Sequence, residues 1–291
     1  MTNQKQAYIL AAITVLLWST VASVFKFSLK YLDSLQLLFY ASITSVLLLF
    51  IVIVVQNKVV LFWRYSKRDY LRSFMLGFLN PFLYYVVLFK AYSILPAQEA
   101  LSLNYTWPIM LVLLSIPLLK QRIGFKSILA LIVSFVGVVI IGTRGDLARL
   151  QFSNPFGVFL AVGSSVIWAL FWIYNMKDER NEVVKLFLNF MFGLIFISAV
   201  TFLFSGTGAV TPPINGVLGA IYVGLFEMGI TFIVWLKALR LSKTTAKVSN
   251  LIFLAPFMSL MFIHFLIKEE ISFLTITGLT LIVTGIMIQQ R

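Results

Sequence analysis

The stretch Glu99-Ala-Leu-Ser-Leu-Asn-Tyr-Thr-Trp-Pro108 puts a carboxylate, an amide, a phenol, an indole and a proline at the start of a hydrophobic segment. The apolar run that it opens continues to Leu119. Proline frees a backbone carbonyl inside a helix, and tyrosine and tryptophan combine a flat apolar ring with a polar tip. Because such polar groups are costly in lipid, we predict that this stretch forms one wall of a protein-lined substrate pathway.

The composition of the whole chain identifies the class of protein. The 291 residues are 60% hydrophobic and only 11% charged, and the mean hydropathy is +0.99. A soluble protein of this length could not hide that much apolar surface in one core. A helix needs about 20 apolar residues to cross roughly 30 Å of hydrocarbon. We therefore predict an all-α, polytopic membrane protein.

Ten apolar runs separated by short breaks predict ten transmembrane helices. The predicted spans are Tyr8–Leu29, Leu35–Val55, Tyr70–Tyr92, Ala97–Leu119, Lys126–Thr143, Asn154–Met176, Val183–Phe204, Gly216–Leu239, Lys247–Ile267 and Phe273–Ile288.

Charge and motif content exclude several functions. The net charge of +13 would suggest nucleic acid in a soluble protein, but here the basic residues fall in loops beside anionic lipid headgroups. Cysteine is absent and His264 is the only histidine, so we expect neither a metal site nor a cofactor. The sequence contains no nucleophile elbow, zinc-protease pair, Walker loop or dinucleotide fingerprint. We predict a protein that is not an enzyme, with no nucleic-acid partner.

Lysine and arginine concentrate in alternate loops, which predicts the orientation. Most of the 23 basic residues lie in the segments that are cytoplasmic if the amino terminus is cytoplasmic. With ten spans the carboxyl terminus is then cytoplasmic as well. The predicted location is the cell (inner or plasma) membrane.

The two halves of the chain repeat each other. Trp18 and Trp168 occupy matching places, and further corresponding pairs are Lys90-Ala91 and Lys237-Ala238, Asn80 and Glu227, Pro108 and Pro256, Lys120 and Lys268, and Gly137 and Gly285. Residues 1–150 and 151–291 each hold five spans, an odd number, so the repeats are predicted to be inverted. The loop Lys120–Lys126 is basic and its counterpart Lys268–Leu274 is acidic, as inversion requires.

The order of these features resembles the drug/metabolite transporter superfamily, ten-helix carriers built from two EamA-type repeats. The resemblance covers essentially the whole chain, with Leu17-Trp18-Ser19-Thr20 opening the first repeat and Ile167-Trp168-Ala169 the second. Glu99-x4-Asn104-Tyr105-x-Trp107-Pro108 resembles the YddG-type aromatic amino-acid exporters within it. The resemblance implies a secondary active transporter that exports small metabolites by alternating access, with a central cavity between the two repeats. The residues that it places at that cavity are Asn80, Tyr84, Tyr105, Trp107 and Trp168.

The residues themselves supply a chemical reason for some of these positions. Trp107 and Trp168 fall deeper in their spans than the usual headgroup belt, although helix contacts would also explain them. Glu99 stands at a helix start, where the helix dipole favours an acid whether or not it binds substrate. Glu227 lies mid-span, which makes it a proton-coupling candidate or a buried packing residue.

Other functions stay open at this stage. The substrate could be an amino acid, or instead a nucleobase, a sugar phosphate or an organic cation, and an ion channel is a further alternative. The expected partners are a small-molecule substrate and the lipid bilayer, with the protein acting as a monomer or a homodimer.

Overall fold

The computed structural model describes residues 3–120, 125–143, 154–204, 212–241 and 250–290. Every regular element in these ranges is helical, so the predicted all-α class is confirmed for the described part of the chain. The predicted start of the ninth span at Lys247 and residues 121–124 of the basic loop lie outside these ranges.

The described helices are numbered here in chain order. The α-helices are α1 (Asn3–Ser28), α2 (Ser34–Val55), α3 (Leu61–Arg64), α4 (Lys67–Gly77), α5 (Tyr84–Ile94), α6 (Ala97–Asn104), α7 (Trp107–Leu119), α8 (Phe125–Gly142), α9 (Pro155–Met176), α10 (Glu182–Phe204), α11 (Ile214–Phe226), α12 (Ile230–Leu241), α13 (Leu254–Phe262) and α14 (Phe273–Gln290). The segments Phe78–Leu83 and Ile263–Ile267 are π-helical and Asn250–Phe253 is a 3₁₀ helix.

Seven helical stretches in the described ranges are long and apolar enough to cross a membrane. They are Gln4–Ser28, Ser34–Val55, Lys67–Ile94, Ala97–Leu118, Pro155–Met176, Glu182–Phe204 and Ile214–Trp235. Three shorter apolar helices cover Leu131–Ile141, Leu251–Ile267 and Phe273–Ile288. These stretches support a multi-pass membrane protein, whereas the count of ten spans stays a prediction.

Side-chain caps determine where some of the helices begin. The Asp33 carboxylate accepts hydrogen bonds from the backbone N–H groups of Leu35 and Gln36 at 2.8 and 2.9 Å, and the Gln36 side chain accepts one from the Asp33 N–H. At the start of α9, Asn154 accepts a hydrogen bond from the Gly157 N–H at 2.9 Å. Such caps satisfy backbone donors that have no partner inside the helix.

The third and eighth predicted spans are interrupted at corresponding positions. Between α4 and α5 the backbone of Asn80 is extended (φ −147°, ψ 120°), and Pro81 follows it. Between α11 and α12 the helix is broken by a turn from Glu227 to Gly229. Asn80 and Glu227 are the pair that the sequence repeat relates. Broken helices at matching positions of two halves are a feature of transporter binding sites.

Polar side chains satisfy the carbonyls that the second of these breaks releases. Ser45 on α2 donates a hydrogen bond to the Met228 carbonyl at 3.1 Å. Thr231 donates one to the Phe226 carbonyl across the break itself. Because an unpaired carbonyl in hydrocarbon costs several kcal/mol, these hydroxyls make the break tolerable.

Helix packing divides the chain into two compact units. The first unit comprises Met1–Phe82 and Glu179–Ile267, and the second comprises Leu83–Asp178 and Lys268–Arg291. Each unit therefore takes helices from both halves of the sequence.

The internal packing of the first unit resembles that of the second. In the first unit α1 packs on α12 and α13, and in the second unit α9 packs on α5, α6 and α7. The ring of Trp18 on α1 lies 6.0 Å from that of Phe232, and the ring of Trp168 on α9 lies 4.5 Å from that of Tyr84. The first helix of each half thus packs on the third and fourth spans of the other half, which supports the internal repeat.

Glycine allows a close crossing of α8 and α14 inside the second unit. A Cβ added to Gly137 would lie 2.5 Å from the Gly278 carbonyl oxygen, and one added to Gly278 would lie 2.7 Å from the Gly137 carbonyl oxygen. Beside this crossing Ser134 donates a hydrogen bond to the Ile282 carbonyl at 3.3 Å. Small residues that let two backbones approach are a common basis of helix association in membranes.

We expect Gly137→Ala to lower the thermal stability of the purified protein. The added methyl group would contact backbone rather than a movable side chain, and overpacking of this kind costs about 1–3 kcal/mol. The matched control is Gly163→Ala in α9, because a Cβ there meets nothing within 4 Å. Thermal unfolding in detergent checks both variants, and equal effects would contradict the tight crossing.

Candidate functional site

A stacked pair of aromatic rings forms the centre of the candidate site in the second unit. The rings of Tyr84 on α5 and Trp168 on α9 are 4.5 Å apart at their centroids and inclined by 31°. Tyr85 packs against Tyr84 at 4.7 Å. Tyr84 and Trp168, the two residues that the sequence predicted for this site, are both buried. Such aromatic pairs contribute about 0.5–1.5 kcal/mol beyond the burial of their area.

Further aromatic residues extend this surface along α9. Trp168 lies 5.8 Å from Phe171 and 5.8 Å from Trp172, the second contact being edge-to-face. The indole N–H of Trp172 is buried and has no acceptor within the described part of the chain. The surface therefore combines flat apolar area with one available hydrogen-bond donor.

A chain of hydrogen bonds connects the stacked rings to α6. The Tyr84 hydroxyl donates to the Asn104 Oδ1 atom at 3.4 Å, and the Asn104 Nδ2 atom donates to the Ser164 Oγ atom at 2.8 Å. Ser164 in turn donates to the Ala161 carbonyl at 2.6 Å. Because the amide bonds at both ends, its orientation is fixed. Asn104 therefore holds α5 and α9 at a set distance from α6.

The junction between α6 and α7 carries the other two predicted aromatic residues of this unit. Tyr105 and Trp107 are half-buried there, on either side of Thr106. The Thr106 hydroxyl donates to the Leu103 carbonyl at 2.8 Å and shares a 2.9 Å hydrogen bond with the Ser165 hydroxyl. Thr106 thus satisfies a helix-end carbonyl and ties the junction to α9. Among the described aromatic residues, none makes a ring contact with Trp107.

Two carboxylates meet at the amino-terminal end of α6: the predicted Glu99, which belongs to the helix, and Glu269, which comes from the loop before the last helix. Glu99 is buried in the first turn of α6. The Glu269 carboxylate accepts hydrogen bonds from the Ala97 and Gln98 N–H groups at 3.1 and 3.3 Å. An anion is favoured there by the helix dipole and by the unpaired N–H groups.

The Gln98 side chain completes the attachment of this helix start to the loop that contains Glu269. Its Nε2 atom donates to the Glu270 carbonyl at 2.7 Å, and its Oε1 atom accepts from the Ser272 N–H at 2.9 Å.

The remaining two candidates lie in the first unit, each at a helix break. Asn80 is fully buried, and its side-chain oxygen and nitrogen have no partner in the described ranges. Glu227 is half-buried at the end of α11, where its N–H donates to the Val223 carbonyl at 2.9 Å. The structure thus places both at positions where the helix is interrupted.

The structure adds residues that the sequence analysis did not select. Asn104 was part of the quoted motif but not of the predicted site, and Ser164 and Ser165 were not considered. Their spacing was informative, because both serines precede Trp168 by about one helical turn and therefore share its face of α9. Among the described residues no group of three or more His, Asp or Glu side chains could hold a metal ion.

Comparison with known proteins gives a consistent family. The profile of the EamA-like transporter family matches the chain twice, over residues 5–143 and 155–289. An uncharacterized transporter of Archaeoglobus fulgidus is 23% identical over 98% of both chains. The uncharacterized transporter YvbV of Bacillus subtilis is 26% identical over 72% of this chain and 68% of its own.

A solved crystal structure also matches nearly the full length. It superposes with a TM-score of 0.67 over 98% of this chain and 96% of the other, at 21% identity. This similarity shows the fold alone. The relatives point to a transporter rather than an enzyme, and their names give no substrate, so the resemblance to the aromatic amino-acid branch stays a prediction.

We expect Asn104→Ala to lower the free energy of unfolding by about 1–3 kcal/mol, because it removes two buried hydrogen bonds, one from the Tyr84 hydroxyl and one to the Ser164 hydroxyl, each worth about 0.5–1.5 kcal/mol. Ser102→Ala is the control on the same helix, since the Ser102 hydroxyl is buried without a partner in the described structure. That control should be neutral or slightly stabilising. Denaturant or thermal unfolding in detergent measures both, and an unaffected Asn104 variant would contradict the hydrogen-bond chain.

Proposed function

Because the chain belongs to the EamA-like transporter family, we propose that it is a secondary active transporter exporting amino acids, aromatic ones among them, by alternating access. The stacked pair of Tyr84 and Trp168 is the observation that carries this proposal. It lies on two membrane helices and is held by the Asn104 amide.

The chemistry of this aromatic surface suits a planar solute. Buried aromatic rings offer apolar area for stacking, and hydrogen-bonding groups at their edges fix the orientation of a ligand. The Trp172 N–H and the Asn104 amide are such groups. We include Tyr105, Trp107 and Glu99 in the proposed substrate-binding set because they lie on α6 and at its junction with α7.

The interrupted helices favour alternating access. A carrier needs elements that change arrangement, and discontinuous membrane helices in two related halves are typical of such proteins. Here the breaks at Asn80 and Glu227 occupy corresponding positions of the proposed inverted repeats, residues 1–150 and 151–291.

We place the carrier in the cell membrane with both termini in the cytoplasm. The basic side chains of Arg64, Lys67 and Arg68 support this orientation, because they are exposed at the start of the third predicted span.

Glu227 is the proposed proton-coupling residue. It lies at the break between α11 and α12, within the eighth predicted span. An ionisable residue within a membrane span is by default a functional candidate. Protonation there could alternate with substrate binding, which would couple transport to the proton gradient.

Removal of the indole in Trp168→Ala should impair transport while membrane insertion stays normal. Loss of one stacking partner predicts at least a several-fold weaker substrate affinity. The test is counterflow of radiolabelled tryptophan, phenylalanine, a nucleobase and a sugar phosphate in proteoliposomes. Trp63→Ala is the control, because the Trp63 side chain is 87% exposed. Exchange that is stimulated by substrate on the opposite side of the membrane would identify a carrier. A Trp168→Ala variant that exchanges substrate like wild type would contradict the aromatic site.

Conversion of Glu227 to glutamine keeps its size and hydrogen bonding but removes its titration. We expect Glu227→Gln to bind substrate, to lose the pH dependence of transport, and to be impaired more in uphill movement than in exchange. Initial transport rates measured across roughly pH 5.5 to 8.5 provide the test. A pH profile identical to that of wild type would make Glu227 a packing residue.

A further inference from the structure

Two buried carboxamides in the first unit have no hydrogen-bond partner among the described residues. Asn80 and Asn189 are both 0% exposed. The Oδ1 and Nδ2 atoms of both side chains are without a partner in the described part of the chain. Asn189 lies on α10 and was not among the residues that the sequence analysis selected.

The two amides lie along the same helix–helix contact. A Cβ added to Gly77 would lie 2.9 Å from the Gly193 backbone nitrogen, and one added to Gly193 would lie 2.6 Å from the Pro81 Cγ atom. Asn189 precedes Gly193 by one helical turn, and Asn80 adjoins Pro81. The close approach of α4 and its π-helical extension to α10 therefore places the backbones of Asn80 and Asn189 along one helix contact.

Phenylalanine residues pack this contact on another side. Phe78 and Phe82 lie 5.4 and 5.7 Å from Phe196, and Phe74 lies 5.8 Å from Phe192. Apolar side chains of suitable size are therefore already used here for packing.

Burial of these two amides without hydrogen-bond partners in the described ranges lowers the stability of the folded protein. An unsatisfied buried polar group costs about 1–3 kcal/mol, and lipid offers it no alternative partner. Leucine has nearly the same shape as asparagine and would avoid this cost. Groups that cost stability without serving the fold are typical of binding sites.

We propose that Asn80 and Asn189 form a binding site for the zwitterionic head group of an α-amino acid. Their N–H₂ groups donate to a carboxylate and their carbonyl oxygens accept from an ammonium group. Two neutral amides add no net charge, which matches a head group whose own charges cancel. This inference rests on the proposed transport of amino acids and names how that substrate class is recognised.

The ligand arm of the test uses the purified wild-type protein and three related indoles. L-tryptophan carries both charges, tryptamine lacks the carboxylate, and indole-3-propionate lacks the ammonium group. We expect a thermal shift with tryptophan and much smaller shifts with the other two. A wild-type shift with a nucleobase and none with any amino acid would overturn the proposed function as well as the inference.

The variant arm tests the site itself, separately from the choice of substrate. Asn189→Leu should raise the melting temperature without ligand, because it removes an unpaired polar group, and should abolish the shift with tryptophan. Asn104→Leu is the control for the melting temperature alone, since that amide is bonded and its loss should lower the melting temperature. An Asn189→Leu protein that keeps the tryptophan shift, whatever its own stability, would overturn the site.

A second variant keeps the test decisive if Asn189→Leu folds poorly. Asn189→Asp has the same size but replaces the two N–H donors by a carboxylate oxygen. We expect tryptophan affinity to fall by roughly 10-fold or more, the equivalent of one hydrogen bond to a charged group, and tryptamine affinity to rise. An unchanged preference between tryptophan and tryptamine would overturn the proposal.

Discussion

Every backbone carbonyl and N–H group inside a bilayer needs a partner, and this requirement governs where the helices of the protein can be interrupted. The eighth predicted span can be interrupted at Glu227 because Ser45 and Thr231 donate hydrogen bonds to the carbonyl groups that the break leaves without a helical partner. The fourth predicted span can be interrupted between Asn104 and Trp107 because the Thr106 hydroxyl donates a hydrogen bond to the Leu103 carbonyl. The hydroxyl groups therefore permit the interruptions, and the interruptions bring polar atoms to membrane depth.

Close helix contacts in both units use glycine to bring two backbones together. In the first unit Gly77 and Gly193 bring α4 and α10 together, and in the second unit Gly137 and Gly278 bring α8 and α14 together. Lipid chains are as apolar as leucine, so apolar side chains alone give little preference for one helix neighbour over another. Backbone-to-backbone approach gives each pair a defined position.

Sequence patterns predicted the helical class and most helix positions because apolar runs of membrane length have few alternative structures. They also related Asn80 to Glu227, and the structure shows a helix break at each. The aromatic pair was harder to identify. Trp107 and Trp168 both lie deep in their spans, but depth along a helix does not say which neighbour a side chain meets. The contact of Trp168 with Tyr84 depends on how α5 packs against α9, which no local pattern encodes.

The attachment of α6 to the loop before the last helix has a consequence for how the protein is made. The eight-residue helix Ala97–Asn104 is too short to be stable alone, and Glu269, which holds its first N–H groups, follows 172 residues later in the chain. Chains are synthesised from the amino terminus, so the Glu269 carboxylate becomes available to this helix start only after the 172 residues that follow Ala97 have been made. A segment that enters the membrane early therefore reaches its final structure only when a much later part of the chain has joined it, and a chain that ended before Glu269 would leave it incomplete.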